Sequence, residues 1–200
     1  MSGKVFIASM NMRGKWAERP VDACVLNVTS MQKKDNMERR DFSPMSEVKD
    51  GYKGFFCFEN YWQSGKVYEG FDRVKFKKWW MKQTKGKRRY PGSKGKKVLH
   101  AEFNEEELDY VQSRKKVYVP EYFELMNATE SLKKWKNIVE KGKSVVVYDF
   151  DGPRENYEPV CKEVTLEFLR EKINDTRYPF GHGYIVAAAL CGINCSEYLV

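Results

Sequence analysis

Residues 144–149 read Ser144-Val145-Val146-Val147-Tyr148-Asp149, and this run decides the fold. Three β-branched residues and an aromatic, closed off by Asp151-Gly152-Pro153, make the clearest buried strand in the chain. Two shorter apolar runs, Val5-Phe6-Ile7-Ala8 and Val25-Leu26-Asn27-Val28, predict further buried strands. Helical spacing fills much of the remainder. Leu132, Trp135 and Ile138/Val139 share one face of a helix over 131–141 that stops at Gly142, and Leu166, Leu169 and Ile173 mark another over 165–174. Residues 183–192 are so nearly all apolar that a helix there has to be buried. Strands alternating with helices predict an α/β or α+β protein: a single compact domain over residues 1–200, with a small buried sheet surrounded by helices.

Composition narrows the class. Of 200 residues, 42% are hydrophobic and 14% aromatic, which excludes intrinsic disorder as the main state. No run approaches the roughly 18 apolar residues of a membrane-spanning helix, so the expectation is a cytoplasmic protein with no membrane partner. Five cysteines, an odd number without a CxxC pair, predict buried thiols rather than disulfides or a zinc ribbon. With only His100 and His182, a histidine-built metal site lacks ligands, and neither a metal nor a cofactor is expected.

The net charge of +8 is local. Twelve Lys or Arg and no acid lie between Arg73 and Lys97, leaving 24 basic against 28 acidic groups elsewhere. A helix over 72–83 leads into a basic loop, 84–97, that Gly86, Pro91, Gly92 and Gly95 keep irregular and flexible. Lys87, Arg88, Arg89 and Lys94 suit a phosphate backbone, and Tyr90 is available to stack on an exposed base. A charge run is also commonly just a solvated face. Around this segment, 29–50 reads as a long polar loop and 98–101 as a strand. Asn104 reads as the start of a helix with Glu105, Glu106 and Glu107 in its first turn, and Pro120 as the opening of another.

The most informative helix is read over 55–70. Phe58, Tyr61, Trp62 and Gly65 fall on one stripe, and Glu59, Gln63 and Lys66 on a second beside it. A carboxylate beside Trp62 is partly desolvated and suited to proton transfer, while Gln63 and Lys66 are placed to orient a polar ligand. The same three residues also read as a solvated face flanking a core stripe. Asp149 and Asp151 point to one side if the strand stays extended, as an acid–base pair or a magnesium clamp, although Asp151-Gly152-Pro153 also reads as a plain turn. His182 lies between Gly181 and Gly183 at the start of the apolar helix, whose N-terminal amides favour a phosphate; it also reads as a cap. Asn11, Arg13 and Arg154 complete the candidate ligand contacts.

The pattern Glu59-x-Tyr61-Trp62-Gln63-x-x-Lys66, preceded by Gly54 and a Phe-rich turn, resembles the Glu-x-x-Tyr-Gln-x-x-Lys helix of the NADAR family. Asp41-Phe42-Ser43-Pro44 is similar to that family's Ser-Asn-Phe or Ser-Pro segment, so the likeness spans Asp41 to Lys66. NADAR proteins are N-glycosidases of ribosylated bases, among them riboflavin-pathway intermediates and ADP-ribosylated guanine. The resemblance implies that Glu59 is the catalytic carboxylate and that an aromatic residue and a later Asp complete the pocket. The expected function is hydrolysis of the N-glycosidic bond of a phosphorylated nucleoside, a nucleotide or an ADP-ribosylated base, with Asp149, Asp151 and His182 competing for the role of acid and Trp62 against the base. Two other readings stand beside it: a non-catalytic nucleic-acid-binding protein that uses residues 73–97, and a magnesium-dependent phosphotransferase built on Asp149 and Asp151.

Overall fold

The computed structural model describes residues 2–10, 20 and 22–200, which gather into two compact units, Met1–Ser43 with Val119–Val200, and Pro44–Tyr118. The first unit opens with β1 (Val5–Ser9), β2 (Cys24–Asn27) and α1 (Met37–Phe42). The second holds α2 (Phe58–Ser64), β3 (Lys66–Tyr68), α3 (Arg73–Met81), β4 (Val98–Phe103), β5 (Glu106–Leu108) and α4 (Tyr110–Ser113), then a π-turn over Arg114–Tyr118. The first unit resumes with α5 (Val119–Asn127), α6 (Glu130–Glu140) and β6 (Val145–Asp149). It ends with the ribbon β7 (Arg154–Glu155) and β8 (Glu158–Pro159), β9 (Cys161–Glu163), α7 (Leu166–Asn174), α8 (His182–Leu190) and α9 (Cys195–Tyr198). The architecture is mixed α/β.

In the first unit the sheet order is β2-β6-β1-β9. The first three strands are parallel, with Val5 opposite Val145 and Ser9 opposite Asp149, and β9 is antiparallel to β1. Every residue of β6 is buried, which explains the unbroken apolar run: a strand covered on both faces has no polar side to alternate with. Helix α8 packs on β1 and β6, and all nine of its residues are buried. On α6 the spacing holds as read, with Leu132, Trp135 and Val139 buried and the Thr129 hydroxyl accepting the Leu132 N–H. Among the described residues no helix is long and apolar enough to cross a membrane.

The second unit is built on an antiparallel sheet, β3-β4-β5, and an aromatic core of Phe58, Tyr61, Trp62, Phe103 and Tyr118. Here the expectations need correction. The helix read over 55–70 covers only Phe58–Ser64, and Lys66 begins a strand that pairs with β4. The chain turns at Gly65, whose Cα lies so close to the Phe103 ring that an added Cβ would stand 2.1 Å from it. The helix expected at Asn104 is a hairpin turn: Asn104 and Glu105 adopt φ of 51° and 66°, and Glu106 and Glu107 enter β5. Two successive left-handed residues are the signature of a tight hairpin, and Asn tolerates that conformation well. The loop read over 29–50 contains α1, whose N–H at Arg39 is capped by the Asn36 side chain and whose Phe42 is buried.

Gly65→Ala is expected to lower the unfolding free energy in urea by about 1–3 kcal/mol, because the new methyl group meets an aromatic ring that is itself stacked on Trp62. Unchanged stability would show that Phe103 is free to swing aside.

Candidate functional site

Helix α2 is short and almost wholly buried, and its two half-buried residues are Glu59 and Gln63. A solvated face would be exposed; these two are held. Gln63 Nε2 donates to Glu59 Oε1 at 2.7 Å, and the Glu59 N–H donates to the Pro44 carbonyl at 2.8 Å. Oε2 of Glu59 has no hydrogen-bond partner among the described residues. Asn60, fully buried beside them, was not singled out by the sequence. Its Nδ2 donates to the Lys85 carbonyl at 3.0 Å and its Oδ1 accepts the Lys87 N–H at 2.9 Å, so this side chain pins the start of the basic loop. Burial pushes the Cys57 thiol at the head of the helix up to about 11, and it stays protonated.

One helical turn beyond Glu59, Trp62 lies flat against Phe103, with ring centroids 5.5 Å apart and planes 7° from parallel. Trp62 also lines a cavity of about 340 Å³ with Lys66, Leu99, His100, Tyr110 and Ser113. Lys66 Nζ lies 5.8 Å from the Trp62 ring centroid. The buried Arg114 guanidinium sits 4.0 Å from the Tyr110 ring centroid, the geometry of a cation held on a ring face. His100 is half-buried, with Nε2 3.3 Å from Glu102 Oε1 and Nδ1 3.4 Å from Glu107 Oε1. Sequence reasoning passed over His100; the available signal was its i, i+2 spacing to Glu102, which puts both on one face of a strand. The cavity combines an aromatic wall, apolar sides and two basic side chains, a lining suited to a planar, partly anionic ligand.

In the first unit, Asp149 and His182 meet. Asp149 is 2% exposed; its Oδ2 accepts the Gly183 N–H at 2.9 Å and lies 3.3 Å from His182 Nδ1. His182 Nε2 is 2.9 Å from the Val28 carbonyl, which only accepts, so Nε2 carries a proton and donates it there. The amides at the start of α8, expected to hold a phosphate, thus serve a carboxylate of the chain itself. A Cβ on Gly181 would stand 2.6 Å from Asp149 Oδ2, and one on Gly183 2.6 Å from Asp149 Cβ. Those glycines allow the approach of Asp149 rather than of a ligand. Tyr122 packs edge-on to His182 and donates its hydroxyl to the Phe42 carbonyl. Burial, reinforced by the Asp149 charge, pushes that hydroxyl well above the usual phenol range.

Strand β6 ends at Asp149 and Gly152 N–H turns back to the Asp149 carbonyl, so Asp151 is exposed in a turn and the extended geometry that would align the two carboxylates is absent. Arg154 donates to the Tyr157 carbonyl within its own ribbon, at 3.0 Å. Tyr90 packs on Phe76 and Trp79, with centroids at 4.5 and 5.0 Å, rather than standing free to stack on a base. Lys87 is half-buried, and Arg88, Arg89 and Lys94 are exposed. Asp41, from the segment similar to the NADAR pattern, accepts the Ser131 N–H and hydroxyl at the head of α6. Asn11 and Arg13 lie outside the described residues. Among the described residues no group of three or more His, Cys, Asp or Glu is placed to hold a metal ion.

Fold and site together define a mixed α/β protein with an aromatic-walled cavity and, on the helix that gives the cavity Trp62, a carboxylate, Glu59, that is held by Gln63 and is not itself part of the cavity lining. The chain belongs to DUF6939, a family of unknown function, whose pattern matches residues 10–160. That span includes Glu59, the cavity, the basic segment and Asp149, and ends before His182. No curated protein and no solved structure matches the chain.

Asp149→Asn is expected to reduce the unfolding free energy by about 1–3 kcal/mol, since it keeps an acceptor for the Gly183 N–H and removes the charge facing His182. Chemical denaturation measures this, and an unchanged midpoint would mean that the carboxylate does not hold α8.

Proposed function

We propose that the chain is an N-glycosidase that cleaves the bond between ribose and base in a phosphorylated nucleoside, a nucleotide or an ADP-ribosylated base. The supporting observation is that Glu59, oriented by Gln63 and with one oxygen unengaged among the described residues, stands one helical turn from Trp62, which lines the cavity. The likeness of this helix to the NADAR pattern supports the same reading. In the reaction, the ribose C1–N bond breaks and its electron pair leaves with the base, which takes up a proton. The sugar passes through a cation that the Glu59 carboxylate stabilises; water then bonds to C1 and gives its proton to Glu59. The cavity receives the base against Trp62, with Lys66 at its edge for an anionic group. His100, lining the same cavity, protonates the departing base.

Glu59→Gln preserves shape and the hydrogen bond with Gln63 but removes the charge and the exchangeable proton. Turnover, followed by chromatography as free base released from ribosylated nucleotides, is expected to fall by about 100-fold or more with binding retained. His100→Gln should lower the rate less, by about tenfold. Addition of EDTA should leave the rate unchanged, since no step calls for a metal. Equal rates for wild type and Glu59→Gln would reduce α2 to a structural helix and remove the assignment.

A further inference from the structure

Residues 73–97 carry charge that the cavity does not use. Ten of their twelve cations are exposed, with Arg73 and Lys87 half-buried. Arg73 pairs with Glu102 at 2.7 Å, whereas Lys82, Lys85, Lys94 and Lys97 have no ion-pair partner among the described residues. At one edge, a groove of about 640 Å³ has Arg73, Lys77 and Lys78 on its lining together with Glu102 and Glu105–Glu107, so the charge there is balanced within the unit. The unbalanced part is the loop that follows α3.

That loop is irregular but anchored. Asn60 holds Lys85 and Lys87 by their main chain, Tyr90 is packed among Phe71, Phe76 and Trp79, and the buried Ser93 donates its hydroxyl to the Tyr90 carbonyl at 2.9 Å. Gly86 lies against the Met45 main chain, where a Cβ would come within 2.6 Å of the carbonyl oxygen. A merely solvated charge run needs no such fastening. Holding like charges in a fixed array costs self-repulsion, which a polyanion relieves while releasing its own counterions.

We propose that the cations from Lys82 to Lys97 form a docking surface for the phosphate backbone of duplex DNA. With the half-buried Tyr90 ring packed on Phe71, Phe76 and Trp79, no aromatic of the loop stands free to stack on an unpaired base, so single strands are disfavoured. Of the neutral Ser, Thr and Gln side chains between residues 82 and 97, Gln83 and Ser93 are spent on main-chain carbonyls, which leaves Thr84 to read the 2′-hydroxyls of RNA. Between residues 82 and 97 no large apolar side chain is exposed, so nothing there enters a lipid surface. This surface does not depend on the glycosidase reading.

The test measures fluorescence anisotropy of a labelled mixed-sequence DNA duplex of about 20 base pairs with the full chain, over salt from about 50 to 200 mM. The same-length single strand, a duplex RNA and vesicles containing phosphatidylserine serve as competitors. Lys82→Gln/Lys85→Gln/Lys94→Gln/Lys97→Gln is expected to weaken DNA binding at least tenfold and to reduce the slope of log affinity against log salt by about 0.9 for each phosphate that is no longer neutralised. Lys141→Gln/Lys143→Gln, exposed positions of the other unit, should change neither. The melting temperature should hold, and Lys94→Glu alone, at an exposed loop position, gives the same direction should the fourfold variant fold poorly. Unchanged affinity and slope, an equal loss in the Lys141/Lys143 variant, or tighter binding to RNA, single strands or vesicles would overturn the assignment.

Discussion

A carboxylate withdrawn from water at the end of the central strand sets the terms for the first unit. Burying a charge is costly unless hydrogen bonds and a counter-group compensate, and Asp149 finds both at one place: the Gly183 amide in the first turn of α8 and the imidazole of His182. Meeting that demand brings α8 onto the sheet at a defined point, requires glycine on each side of the histidine, and commits His182 Nε2 to the carbonyl that follows β2. The apolar body of α8 then covers β1 and β6, which gives those strands their second buried face. A polar contact fixes the position and apolar area supplies the energy.

How much of this was legible depended on whether the deciding partner was near in sequence. The strand at 145–149 and the helices at 131–141, 165–174 and 183–192 were readable because burial writes itself as a run or a period. The end of α2 was not, because the residues after it belong to a strand whose partner, β4, lies more than thirty residues downstream. Asn104 and the glutamates after it satisfy the rules for a helix start, yet the partnership of β4 with β5 turns the same residues into a hairpin. Local charge preference is worth a few tenths of a kcal/mol to about one, and a paired strand outweighs it.

The site shows the same division. Glu59, Gln63 and Trp62 could be picked out because helical spacing sets the polar pair on a stripe beside the aromatic one. His100 offered only its spacing to Glu102, because the cavity that makes it interesting is assembled from α2, β3, β4 and α4 and exists only after folding. Tyr90 illustrates the opposite error. Set in a stretch of glycine and lysine it looks free, and nothing in that composition tells of the aromatic surface beneath it.

The parallel order β2-β6-β1 has a consequence for the way the chain is made. Strands β1 and β2 lie within the first 27 residues, yet their partners within the sheet, β6 and β9, begin at residues 145 and 161. During synthesis both early strands wait, with apolar faces and unpaired edges, while more than a hundred residues are added. The sheet of Pro44–Tyr118, by contrast, closes between residues 66 and 108. Emergence from the ribosome therefore favours the inserted unit first, and the surrounding one, rich in distant pairings, is the slower to form and the more exposed to wrong partners in the interval.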